Sequence, residues 1–287
     1  MKLCKPLFEI WEQSAGLEGV YKQIEKVGRV CYKSEDKITE DSAKPFVNRM
    51  IKSGHGAILE HGTVYLFCST EEYVDSNGDV QYYNPLEKYQ NNNYSALVDS
   101  NEGIYVTTNL RVLVENGWIG DLQYLCEPSE FHESRVTVHF VCDRDVSHEF
   151  VRHRVMSFAQ ESIMYCNYSK DKFDNELTFI IPNWVNTNCP TKEKEGPSIA
   201  SIKWSTAMSN AEDSYMNLIK MGCIAQEARA VLPNSLKTEL VVTGFVSDWK
   251  HFFELRCDSA AHPMARELAC SLKEEFIKRN YINCKKS

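Results

Sequence analysis

No run of about 18 apolar residues occurs anywhere in this 287-residue chain, which argues against a membrane-spanning helix. The opening segment, Met1-Lys2-Leu3-Cys4-Lys5-Pro6, runs straight into charged sequence without an apolar h-region, so no secretory leader is expected. G-x-G-x-x-G is absent, which disfavours a Rossmann dinucleotide site. An excess of positive charge is also missing. With 32 basic and 40 acidic residues the formal net charge is −8, so broad nucleic-acid binding by phosphate neutralisation is not expected. An anionic ligand would need a local basic site.

Cysteine is plentiful but unpatterned. The 11 residues include no C-x-x-C pair and no Cys/His spacing of a zinc module, so neither disulfides nor a metal are expected. An odd number in a long chain points to reduced thiols in a cytosol-like compartment. Cys68 and Cys142 lie in apolar alternating runs and read as small core residues.

Apolar residues make up 43% of the chain and aromatics 11%, enough for an ordinary globular core. Neither an internal repeat nor a linker divides the chain, so residues 1–287 are expected to form a single α+β domain, a central antiparallel sheet flanked by helices. Helices are predicted over 16–32, 40–53 (Asp41 or Ser42 at its start, Gly54 at its stop), near 106–116, and over 201–221. More are predicted over 224–230, 234–246, 247–255 and 262–278. Strands are predicted at 59–68 and at 135–143, where apolar and polar residues alternate. Between about 71 and 105 the chain turns polar, and Ser76-Asn77-Gly78-Asp79 signals a hairpin or excursion. A loop is read over 167–197. Asp145 to Phe158 reads as a helix capped by Asp145 or Ser147, and it carries the most informative feature of the chain.

That feature is Arg152-His153-Arg154 followed by seven residues and then Ser162. Arginine offers a rigid fork of donors for phosphate and stacks on rings, while histidine exchanges a proton near neutral pH. On a helix, Glu149 would share a face with Arg152 at i,i+3 and with His153 at i,i+4. As an ordinary surface ion pair this would be worth only about 0.2–0.5 kcal/mol. Three other segments carry candidate chemistry: Glu60-His61-Gly62-Thr63, Ala228-Arg229-Ala230-Val231-Leu232-Pro233, and His251 through His262 with Leu255-Arg256 inside it.

The four segments, in this order, resemble the flavin-dependent thymidylate synthases, and the likeness spans residues 60 to 263. The resemblance implies FAD as cofactor, NADPH and methylenetetrahydrofolate as co-substrates, dUMP as substrate, and a homotetramer with shared sites. It implies flavin contacts at His61, Thr63, His153, Arg154, Gln160, Phe245, Ser247 and His251. Nucleotide contacts are implied at Glu149, Arg152, Gln160, Ser162 and Arg229. Arg256 is the implied catalytic residue, stabilising negative charge on the uracil as its C5 attacks. The chain departs from the pattern at Met164, where the family usually has a phosphate-binding Arg; losing such a donor removes roughly 1.5–3 kcal/mol of binding. His262 replaces a common Gln, and Phe245 and His251 stand where relatives commonly have Asn. Two alternatives stay open: a related pyrimidine-nucleotide-modifying enzyme with altered substrate, and a flavin- or nucleotide-binding protein without turnover.

Overall fold

The computed structural model describes residues 1–163, 167–170, 175–185 and 198–283. Strands β1 (Lys2–Cys4) and β2 (Leu7–Trp11) lead into α1 (Gly16–Tyr32), α2 (Ala43–Ser53) and α3 (Gly56–Leu59). Next come β3 (Thr63–Cys68), the hairpin β4 (Glu71–Val74) and β5 (Val80–Tyr83), then β6 (Ala96–Ser100) and β7 (Gly103–Asn109). After α4 (Leu110–Glu115) follow β8 (Arg135–Asp143), α5 (Arg144–Phe150), β9 (Ser157–Gln160) and β10 (Thr178–Ile180). The remainder is α6 (Ile199–Lys220), α7 (Ala225–Ala228), β11 (Lys237–Phe245), α8 (Val246–Arg256) and α9 (Pro263–Lys278).

The expected central sheet is present. It is antiparallel, in the order β2-β8-β11-β9. One face presents Val136, Val138, Phe140 and Cys142 of β8 beside Leu240 and Val242 of β11, all packed against α5, α8 and α9. On the other face, Val241 and Ala159 pack against α1 through the Val20, Ile24 and Val27 cluster. This second core also takes in a separate three-stranded sheet, β3-β7-β6. Gly103 opens β7 with φ 145°, and a Cβ there would fall 2.2 Å from the Cys68 carbonyl oxygen, so only glycine fits.

The structure corrects three of the predicted helices. Residues 237–245, expected inside a helix, form the central strand β11. The β-branched run Val241-Val242-Thr243 is buried on both faces there, which removes the alternation that would have marked a strand. The helix expected near 106–116 begins only at Leu110, because Val106–Asn109 belong to β7. The helix expected through Phe158 ends at Phe150; residues 151–156 turn, and Ser157–Gln160 pair with β11. Its cap is Asp143, whose Oδ1 accepts from the Val146 N–H at 2.7 Å, rather than Asp145 or Ser147.

Two smaller differences are that the strand expected over 59–68 begins only at Thr63 and that the loop read over 167–197 holds β10, while other elements agree with the sequence reading. Helix α1 and strand β8 have the predicted bounds, and Gly54 terminates α2 in the left-handed conformation. The polar excursion holds the expected hairpin, whose Asp75 carboxylate accepts from the Asn77 and Asp79 N–H groups. The eight described cysteines are free thiols; Cys142 is fully buried and Cys68 half-buried. No helix among the described residues is long and apolar enough to cross a membrane.

Candidate active site

The two inner strands of the sheet each run directly into a helix. Strand β8 ends at Asp143 and continues as α5; β11 ends at Phe245 and continues as α8. Because the strands are antiparallel, the helices start from opposite ends of the pair and approach each other at their C-termini.

Arg256, the last residue of α8, is 12% exposed and closes that approach. Its Nη1 donates to Glu149 Oε2 at 2.5 Å, its Nη2 to the Glu149 carbonyl oxygen at 2.6 Å, and its Nε to His153 Nε2 at 2.9 Å. The carbonyl is one of the last on α5, which an N–H of the next turn cannot satisfy, so the guanidinium also neutralises that helix end. The expected i,i+4 alignment of Glu149 with His153 is replaced by a junction through Arg256. The i,i+3 ion pair does form, with Arg152 Nη1 3.3 Å from Glu149 Oε1.

His153 accepts from a guanidinium N–H, so its Nε2 is unprotonated and the ring is neutral. Burial, then the Arg256 charge and His251, push its pKa down to about 4. Unfolding between that value and the ordinary value of about 6.5 therefore takes up a proton. The resulting stability is fully present above about pH 6.5 and is lost as pH falls towards about 4. The expected outcome is that His153→Gln reduces the slope of the urea midpoint against pH across this window. A slope identical to that of the native chain would refute the assignment. His61, pushed down to about 3 chiefly by burial, adds to the acid sensitivity in both proteins.

The remaining candidates occupy three further places. Gln160 donates to Ser147 Oγ on α5 at 2.9 Å and to Thr238 Oγ1 on β11 at 3.2 Å. Ser162 is half-buried, its N–H bonded to the Cys31 carbonyl at 3.1 Å. Arg229 lies exposed on the turn after α7. At the other end of α8, about 16 Å away by helical rise, Phe245 is buried beneath the Arg135 guanidinium, 5.4 Å from ring centre to Cζ. Ser247 donates to Glu133 Oε1 at 2.5 Å, whereas His251, midway along α8, is exposed 3.8 Å from Glu254 with its ring centre 6.1 Å from that of His153.

Thr63 and Arg135 line a cavity of about 320 Å³ with Trp11 and Tyr65. Arg135 escaped the sequence reading because it looks like any polar residue opening an alternating strand. It donates to Thr63 Oγ1 at 3.2 Å and to the Glu60 carbonyl at 3.1 Å, and burial pushes its pKa down to about 10. His61 has no exposed surface; its Nδ1 is 2.8 Å from Thr243 Oγ1, which in turn is 2.8 Å from Thr137 Oγ1. The ring is fully enclosed in this single chain, and its Nε2 has no hydrogen-bond partner among the described residues. Met164 lies outside the described residues.

Arg152 is 69% exposed, and neither Arg154 nor Arg229 has an ion-pair partner among the described residues. In a chain of net charge −8, this donor set suits the phosphates of a nucleotide or a flavin dinucleotide. Residues 114–279, more than half of the chain, match the sequence model of the family described as Thymidylate synthase complementing protein. The chain belongs to this family.

The family match takes in α5, the Arg-His-Arg turn, β9, β11, α8 and α9, and leaves His61 and Thr63 outside. Among relatives, the flavin-dependent thymidylate synthase of Pyrococcus furiosus is 33% identical over 141 residues, 49% of this chain and 53% of that protein. The enzyme of the same name from Geobacter sulfurreducens is 34% identical over 129 residues, 45% of this chain and 50% of that protein. The chain spans about half the length of these relatives. Among solved structures, the UMP/dUMP methylase PolB from Streptomyces cacaoi, bound with 5-Br dUMP, aligns with a TM-score of 0.43 at 17% identity. That alignment covers 97% of this chain and 93% of PolB.

Proposed function

We propose that this protein methylates dUMP to dTMP. Arg256 carries the reading, placed by α8 against Glu149 and His153 in a member of the Thymidylate synthase complementing protein family. A guanidinium has five N–H donors, and three are used here. One N–H on each Nη is left, enough to meet a planar acceptor edge such as the N3–C4 region of uracil. Negative charge developing there as C5 attacks is stabilised by these fixed donors. Glu149 and the α5 carbonyl keep the arginine from turning away.

Arg152 and Arg229 bind the nucleotide anion, and Gln160 and Ser162 hold the base. His61, Thr63, His153, Arg154, Phe245, Ser247 and His251 form the flavin side, with Gln160 shared between base and flavin. FAD, when bound in its reduced form, would supply the hydride that converts the methylene carbon delivered by methylenetetrahydrofolate into a methyl group, and NADPH would restore the reduced flavin. On this reading the protein is a cytoplasmic homotetramer whose sites are shared between subunits; Arg152, Arg154 and Arg229 are exposed in the single chain.

The deciding experiment is a mass-spectrometric product assay with FAD, NADPH, methylenetetrahydrofolate and dUMP, run in parallel with dCMP. dTMP is the expected product. Bound flavin and nucleotide without any dTMP would overturn the proposal and leave a binding protein, while a methylated product from dCMP alone would reassign the substrate.

A further inference from the structure

A second group of charges lies on the α1-facing side of the sheet, and the proposed chemistry leaves it without a role. Glu161, 1% exposed, follows β9 directly and sits between the two base-holding candidates Gln160 and Ser162. Its Oε2 is 2.9 Å from Lys237 Nζ, and its Oε1 accepts from the Tyr168 hydroxyl at 3.3 Å. Lys237 also bonds Glu239, which is held in addition by Lys33 from the end of α1 and by His139 Nε2 at 2.9 Å. The formal charges of Lys33, Lys237, Glu161 and Glu239 cancel. Main-chain bonds fix the same segment: Glu161 N–H to the Glu239 carbonyl at 2.8 Å, and Ser162 N–H to the Cys31 carbonyl at 3.1 Å.

Stability alone does not explain such a cluster, because replacing a buried ion pair by apolar side chains of similar volume is often neutral or stabilising. What the cluster provides is direction. It ties the last residue before the chain leaves the sheet to β11 on one side and α1 on the other. Gln160, bonded to Ser147 and Thr238, and Ser162, bonded to Cys31, are therefore held at a fixed separation.

Resting on the functional reading above, we propose that Lys237 is a positioning residue for the nucleotide, acting through Glu161 on Gln160 and Ser162. It touches no ligand. The test uses the flavin-loaded full chain, with dUMP affinity measured by equilibrium dialysis, flavin content by absorbance and stability by urea midpoint. In the double variant Lys237→Met/Glu161→Leu, the urea midpoint and flavin content are expected to stay at native values. Affinity for dUMP should fall about tenfold or more, the scale expected when binding groups shift by a fraction of an ångström. Lys237→Arg, which keeps the positive charge and can bond Glu161 and Glu239 together, is expected to bind dUMP within about threefold of native. Should the double variant fail to fold, Glu161→Ala leaves Lys237 paired with Glu239 and should show the same loss of affinity.

Native dUMP affinity in the double variant or in Glu161→Ala would overturn the inference while leaving the functional reading intact. Loss of affinity only in step with a lowered urea midpoint would reduce Lys237 to a structural role and overturn it equally. A native protein that binds flavin but no dUMP would overturn the functional reading, and this inference with it.

Discussion

Arg256→Ala is expected to retain flavin and lose methylation, with kcat/KM falling by about 10²–10³, the cost of removing one fixed electrostatic stabiliser from an active site. The structure makes the expectation specific. Alanine removes three hydrogen bonds at once, leaving the Glu149 carboxylate with Arg152 as its remaining cation and the Glu149 carbonyl with none. With the Arg256 charge gone, the His153 pKa should move back up from about 4, which an NMR titration of the ring would register. Arg256→Lys should rescue little, since a single ammonium cannot replace a planar fork that meets a carboxylate, a carbonyl and an imidazole together. Turnover within tenfold of native in the alanine variant would remove Arg256 from the mechanism.

Trp249→Ala should destabilise the chain by about 3–5 kcal/mol, the usual cost of truncating a large buried aromatic. Trp249 is fully buried in the first half of α8, with ring centres 5.2 Å from Phe252 and 5.3 Å from Phe276. Its Nε1 donates to the Val136 carbonyl at 3.1 Å, a contact that couples the helix to β8. Against a typical total stability of about 5–15 kcal/mol, the loss would be plain in a urea titration. Trp249→Phe keeps most of the volume and should cost less. A loss below about 1 kcal/mol in the alanine variant would mean that the site closes around the gap, contrary to the dense aromatic packing seen there.

Periodicity revealed the parts of the fold that have one wet or polar side. Strand β8 could be read because Val136, Val138, Phe140 and Cys142 alternate with less apolar residues, and α1 because its apolar stripe ends where α1 ends. Strand β11 could not, because it is buried on both faces and its pattern imitates a core helix. The Arg-His-Arg segment has good local helix spacing, yet pairing of Ser157–Gln160 with β11 overrides it. Glu149 and Arg256 are 107 positions apart, and no local rule joins them; the resemblance named both, and the antiparallel strand pair explains how they meet. Arg135 and Lys237 were invisible for a similar reason, since a buried cation is defined by its surroundings rather than by its neighbours in sequence.

The launch of α5 and α8 from opposite ends of one strand pair makes the candidate site sensitive to length. Each added residue in a helix advances its end by about 1.5 Å and rotates it by about 100°. One extra residue in α8 would swing Arg256 away from Glu149, and a one-residue slip between β8 and β11 would turn their side chains to the opposite face of the sheet. The β4–β5 hairpin, whose strand residues are all exposed, imposes no such phase. Insertions and deletions in this chain thus fall into two kinds: those between Arg135 and Arg256 that put the two helix ends out of phase, and those near the hairpin tip that leave them in step.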